Sequence, residues 1–242
     1  MMKKQSTLYC FSPLVMITTF LIELGAAFFV LFRYRMTRTA QLIVAMLGFL
    51  AFFQLAEFMV CESAVFLSSL DWARLGYVAI TFLPPLGIHL GLTIVQKKNP
   101  LLLLASYGSA MLFSAFFLFV GHGMQGEQCL GNYIIFAIAP YAVIPYGLYY
   151  YGWLLTGVGL FLRLRKSIKE SKKRQALLWL IVGYLSFMLP TIGAHLINPE
   201  TVAGAPSIMC GFAILMALSL LFKVTPLVLK ESQNEEVIQK AY

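Results

Sequence analysis

Apolar runs of about twenty residues recur along this chain, and each is long enough to cross a hydrocarbon core roughly 30 Å thick. A lipid environment leaves few options for such runs, because every backbone amide must find its partner within the protein. Composition agrees: 60% of the residues are hydrophobic and only 12% charged, with mean hydropathy +0.81, where a soluble domain is about one quarter charged. Period-two alternation is not sustained, which argues against a transmembrane barrel. The expected class is an all-α, polytopic membrane protein whose default partners are membrane lipids.

The expected spans are residues 13–32, 40–60, 75–96, 101–120, 143–162, 175–197 and 208–229, seven in all, forming one transmembrane domain over 13–229. Residues 1–12 precede it as an outer segment and 230–242 follow as a cytoplasmic tail. MMKKQ carries signal-peptide charge, but no small-residue cleavage site follows cleanly, so the first span reads as retained. The glycine-rich stretch from Gly121 reads as a loop. The apolar stretch from Tyr133 to Leu162 is too long for one span, so Pro140 and Pro145 are expected to divide it, leaving 133–142 as an interfacial or outer segment.

The net charge of +8 would suggest nucleic acid in a soluble protein. Here the bias of Lys and Arg toward cytoplasmic loops explains it better, and no nucleic-acid partner is expected. With the N-terminus outside, the cytoplasmic side collects Arg33, Arg35, Arg38, Lys97, Lys98, the seven cations of Arg163–Arg174, Lys223, Lys230 and Lys240. Only Lys3, Lys4 and Arg74 stay outside, so fifteen of the 18 cations fall on one side. The orientation is N-out and C-in.

Within this frame, Trp72–Gly91 is the organising stretch. Pro84 and Pro85 interrupt its apolar run, and His89 follows four residues later. Each proline removes a helical donor, so this span reads as a kinked helix whose freed carbonyls need partners from neighbouring helices. Pro190 is the comparable break in the sixth span.

Cys10, Cys61, Cys129 and Cys210 all fall toward the outer side, where disulfides persist. Cys10–Cys210 and Cys61–Cys129 are the expected pairs, since first and last helices of a closed ring are neighbours. Four unpaired, small apolar side chains are the equal alternative.

Glu23 lies about ten residues into the first span. An acid at that depth faces the bundle interior and marks a functional site by default; a protonated, purely structural carboxyl is the bland alternative. His89 lies at a depth from which it would meet Glu23 if the first and third spans share the interior, although a satisfied interior histidine is the commoner outcome. Glu57, with Glu62 near it, and His195 lie toward outer helix ends and suit the rim of an outward-facing pocket. Tyr141, Tyr146, Tyr149, Tyr150, Tyr151 and Trp153 read mainly as an aromatic belt, the deeper ones with Phe52 and Phe53 as pocket walls. Glu23, Glu57, His89, Tyr146 and His195 are therefore the expected ligand-binding residues.

The histidines differ in depth, and no zinc-like Cys/His spacing occurs, so no metal or haem is expected. Lys223 lies near the cytoplasmic surface, where a long amine snorkels, a poor place for a retinal linkage; no cofactor is expected. There is no nucleotide loop, no nucleophile–base motif and no paired acids at glycosidase spacing, so the chain does not read as an enzyme.

WARLGYVAITFLPPLGIHL in the third span, KKRQALLWLIVG with the following MLP in the sixth, and FKVTPLVLKES at the exit of the seventh together resemble the seven-helix N-terminal sensor region of bacterial and archaeal histidine kinases. The resemblance implies a multi-pass plasma-membrane input module that signals through the end of its last helix. Such proteins usually continue into an output domain, whereas this sequence stops shortly after Lys230. The expectation is a receptor-like sensor for a small or lipid-like ligand, acting on a signalling partner protein. A small transporter or channel with a Glu23/His89 proton relay, or a membrane scaffold, are the alternatives.

Overall fold

The structure, a computed structural model, describes residues 13–62, 67–129 and 134–229. Seven long helices form in chain order: α1 (Pro13–Arg33), α2 (Arg38–Cys61), α3 (Ser69–Ile94), α4 (Pro100–Phe119), α5 (Pro140–Ser167), α6 (Ser171–Ile197) and α7 (Ala205–Ser219). A 3-10 turn, Pro199–Gly204, leads into α7, and a π-helical turn, Leu220–Val224, extends it before helix resumes to residue 229. Six helical segments are long and apolar enough to cross a membrane: α1 to α4, α6 and the run Pro199–Leu229. The tyrosines, glycines and prolines of α5 hold its 28 residues below that apolarity.

Local chemistry explains where helices start. Thr37 begins α2 and Ser68 begins α3, each side chain accepting a hydrogen bond from the backbone N–H three residues on, Ala40 at 3.3 Å and Asp71 at 3.1 Å. Asn99 does the same for Leu102 at 3.2 Å, with Pro100 preset in the first turn of α4. Asp71, in the first turn of α3, also pairs with Arg74 at 3.2 Å.

The third helix is the axis of the bundle. It packs against α2, α4, α5 and α6, and 78% of its most apolar window is buried, against 22% for α4. Small residues permit this crowding: Gly87 lies against the Tyr184 ring of α6, and Gly91 against the Phe161 ring of α5. The prolines do not break it. Pro84 and Pro85 sit within a continuous helix, as do Pro145 in α5 and Pro190 in α6. Pro140 opens α5 rather than dividing a span, and Pro145 follows it inside the same helix.

Between α4 and α5 the chain forms an antiparallel hairpin of β1 (Met124–Cys129) and β2 (Ile134–Ile138). This corrects the expectation of a loop followed by an interfacial segment: the first half of that segment is a strand folded back on the glycine-rich stretch. A register shift between Met124 and Gly126 marks a bulge. Met124, Ile134 and Phe136 are buried, so one face of the hairpin plugs the end of the bundle. The Phe136 ring meets Phe53 of α2 at 6.0 Å and Tyr77 of α3 at 5.5 Å between centroids.

One expected disulfide forms. Cys61, the last residue of α2, is bonded to Cys129, the last of β1, with Cα atoms 5.8 Å apart. The other expected pair lies in part outside the described residues, which do not include Cys10; among those described, Cys210 is a free, buried thiol on α7.

Candidate functional site

The aromatic residues of α5 decide the centre of the molecule. Tyr146, Tyr149 and Tyr150 occupy spacing i, i+3 and i+4, one face of a helix, and all three are buried. This overturns the belt reading for them, while Tyr141 at 64% exposure is consistent with it. Thr81 of α3 donates to the Tyr77 carbonyl at 2.6 Å and is 3.0 Å from the Tyr146 hydroxyl. Having spent its one proton, the Thr81 hydroxyl accepts from Tyr146. Tyr146 also packs edge-on to Phe117, with centroids 5.1 Å apart. Rigid rings and two interhelical hydrogen bonds, that of Tyr146 with Thr81 and that from the Tyr149 hydroxyl to the Thr81 carbonyl, therefore lock α5 to α3 at this level.

Beside these tyrosines a cavity of about 440 Å³ opens beneath β2, walled by α3, α5 and α7. Tyr77, Tyr146, Tyr150, Met209 and Cys210 line its inner side, and Ile135 to Ile138 of β2 form its roof. Its size is that of a small-molecule site, and its walls are mostly apolar with a few tyrosine hydroxyls. A narrow void of about 20 Å³ shares Tyr150, Met209 and Cys210 and extends to Tyr184.

Behind the α7 wall lies a buried polar cluster. Glu23 of α1 and Glu57 of α2 are 0% and 2% exposed, and near enough for their charges to oppose one another. The Ser207 side chain of α7 lies beside the Glu57 carboxyl, and its oxygen accepts the Ile134 N–H of β2 at 3.1 Å. Gln54, one turn before Glu57, donates to the Cys210 carbonyl at 3.0 Å. Among the described residues, both oxygens of Glu23 and one of Glu57 have no hydrogen-bond partner. Unpartnered buried carboxyls are costly, so this cluster is not explained by packing.

The expected ligand-binding residues thus separate into four places. Tyr146 lines the cavity. Glu23 and Glu57 are buried near one another on α1 and α2, but behind the wall, so Glu57 is no rim residue. His89 lies elsewhere: its Nδ1 is 3.2 Å from the Tyr107 hydroxyl of α4, and the charge it senses is Arg38 at the start of α2, not Glu23. His195 ends α6 half-buried, its Nδ1 2.9 Å from the Thr201 hydroxyl, beside the turn whose Val202 and Ala203 border the cavity.

Tyr77, Tyr150, Ser207, Gln54 and Cys210 complete the site and were not expected in it. The helical spacing of the α5 tyrosines was a usable signal for Tyr150. So was the alternation of Ile134, Phe136 and Ile138 for the strand above it. Nothing local marks Ser207, whose role depends on two segments distant in sequence. Among the described residues, no three His, Cys, Asp or Glu side chains gather as metal ligands. No family model, curated protein or solved structure matches the chain.

Proposed function

We propose that this protein is a membrane-embedded, receptor-like sensor module that takes a small or lipid-like ligand in the cavity beneath the hairpin and signals through α7. The observation that carries this is the cavity itself, about 440 Å³ of mostly apolar space against a rigid tyrosine wall. One of its walls is α7, whose far end holds the π-helical turn Leu220–Val224. Such turns mark places where a helix can change register. There Ser219 donates to the Trp179 carbonyl at 2.9 Å, and the Lys223 ammonium stands 5.1 Å from the centre of the Trp179 ring. A ligand that favours one of two α7 arrangements would shift these contacts, passing a signal to a cytoplasmic or membrane partner.

In this proposal α5 is the seventh span, despite its modest apolarity. Its 28 residues reach about 42 Å, more than the hydrocarbon core, and its tyrosines turn inward, where they are solvated by the protein. The N-out, C-in orientation rests on the distribution of Lys and Arg in the sequence. The kinship with histidine-kinase sensor regions rests on the three motifs quoted above. A Glu23/His89 proton relay draws no support from the geometry, since His89 pairs with Tyr107 of α4 and not with Glu23.

The test is native mass spectrometry of the intact protein released from a bilayer nanodisc. A bound small molecule, retained by the wild type and lost when Gly147→Trp fills the cavity, is the expected result. Gly147 borders the cavity, and a Cβ added there meets nothing within 4 Å, so the variant should fold. Protein that is always bare, in several lipid compositions, would overturn the reading.

A further inference from the structure

We infer that the occupant of the cavity is an uncharged, long-chain molecule dissolved in the bilayer, and that it enters sideways between α5 and α7. The inference rests on the sensor reading above and narrows it to one ligand class and one route.

The walls set the charge. Among the described residues, no carboxylate, ammonium or guanidinium lines the space; the polar side chains there are tyrosine hydroxyls and the Cys210 thiol. Glu23 and Glu57 lie behind the wall and do not border it. A charged ligand would therefore lose its hydration with no counter-charge to replace it. A hydroxyl or carbonyl headgroup could be met by the tyrosines.

The mouth sets the route. Val143 on α5 and Val202 before α7 both border the cavity and are 45% and 52% exposed, so the space opens between these two elements. From Val143 the α5 wall runs on to Tyr151, a rise of about 12 Å along the helix, most of one leaflet's share of the hydrocarbon. Ile144 and Leu148, each 71% exposed, extend the same apolar flank outside the opening, a surface suited to lipid chains. An apolar void of this kind is poorly wetted, whereas an alkyl chain enters from hydrocarbon without a dehydration step.

The experiment uses the full chain reconstituted in phosphatidylcholine vesicles, with two photoreactive probes. One is a diazirine-bearing hexadecanol confined to the bilayer, the other a diazirine-bearing glucoside confined to water. Adducts are mapped by peptide mass spectrometry. The expected result is hexadecanol adducts on Tyr151, Met209 and Cys210 that fall at least about tenfold with excess unlabelled hexadecanol and with Gly147→Trp. Hexadecanol labelling that neither treatment lowers, spread over the lipid-facing sides of α1 and α4 as well, would mean a bulk-lipid surface only and would overturn the inference. Labelling of the cavity by the glucoside alone would overturn the ligand class and route while leaving a sensor with a water-fed pocket. No labelling by either probe would overturn both this inference and the proposed function.

Discussion

The Tyr149 hydroxyl donates to the backbone carbonyl of Thr81 at 2.6 Å, the acceptor four residues before Pro85. Proline has no N–H, so within the helix that carbonyl has lost its usual donor. A side chain from α5 supplies one. The Thr81 side chain, bonded to Tyr77 and Tyr146, joins the same few ångströms. The double proline of α3 and the tyrosine face of α5 are thus two halves of one arrangement, which lets the helix continue through Pro84 and Pro85 in a place without water.

Replacing Tyr149 by Phe should cost about 1–2 kcal/mol, the range for a lost interhelical hydrogen bond and an unsatisfied carbonyl. Pro85→Ala restores an N–H for that carbonyl, so Tyr149→Phe should cost less in the Pro85→Ala background. Thermal unfolding of the four proteins of this double-mutant cycle measures the coupling. Equal costs in both backgrounds would show that the hydroxyl does not substitute for the missing donor.

Gly87 and Gly91 should resist even alanine. A Cβ at Gly87 would lie 2.8 Å from the Tyr184 ζ carbon and closer still to its hydroxyl, and one at Gly91 would fall within the Phe161 ring contact, 2.8 Å from its δ1 carbon. Both rings are buried and cannot swing aside freely, so each substitution should destabilise by about 1–3 kcal/mol. Gly25→Ala is the control, because a Cβ there meets nothing within 4 Å and gains helix propensity. Melting temperatures in one detergent should fall for the first two and hold or rise for the third.

Ser207→Ala removes the α7 hydroxyl that accepts the Ile134 N–H of β2 at 3.1 Å. Amide hydrogen exchange at Ile134 should accelerate by about tenfold or more, matching the loss of roughly 1.4 kcal/mol of local protection. Unchanged exchange at Ile134 would mean that the hairpin is held by its apolar face alone.

Reducing Cys61–Cys129 should loosen the hairpin roof. The bond closes a loop across a sequence separation of 68 residues, for which chain entropy alone gives up to about 4 kcal/mol. Cys61→Ser with Cys129→Ser should lower the melting temperature and raise exchange in β1, with α6 and α7 less affected. A melt identical to the wild type would show that packing of Met124, Ile134 and Phe136 already fixes the roof.

The approximate positions of the helices were legible without coordinates, because hydropathy over twenty residues decides whether a segment prefers lipid; their starts were less so, α3 beginning at Ser69 behind its Ser68 cap and not near residue 75. Depth was legible for the same reason, which is how Glu23 stood out as interior. Rotation about each helix axis was not. Depth says how far along the bilayer normal a side chain lies, and nothing about which neighbour it faces. Three α5 tyrosines that could serve a membrane edge turn inward because Thr81 and Pro85 wait for them on α3. Cys210 is buried because its place on α7 is against the core, next to Gln54. Glu23 lies near Glu57 and not His89 because α1 packs on α2 and α7, while His89 turns to α4. The cavity is a still more collective outcome. It exists where β2, α5 and α7 stop short of one another, a shortfall in packing to which many residues contribute and which none of them encodes alone.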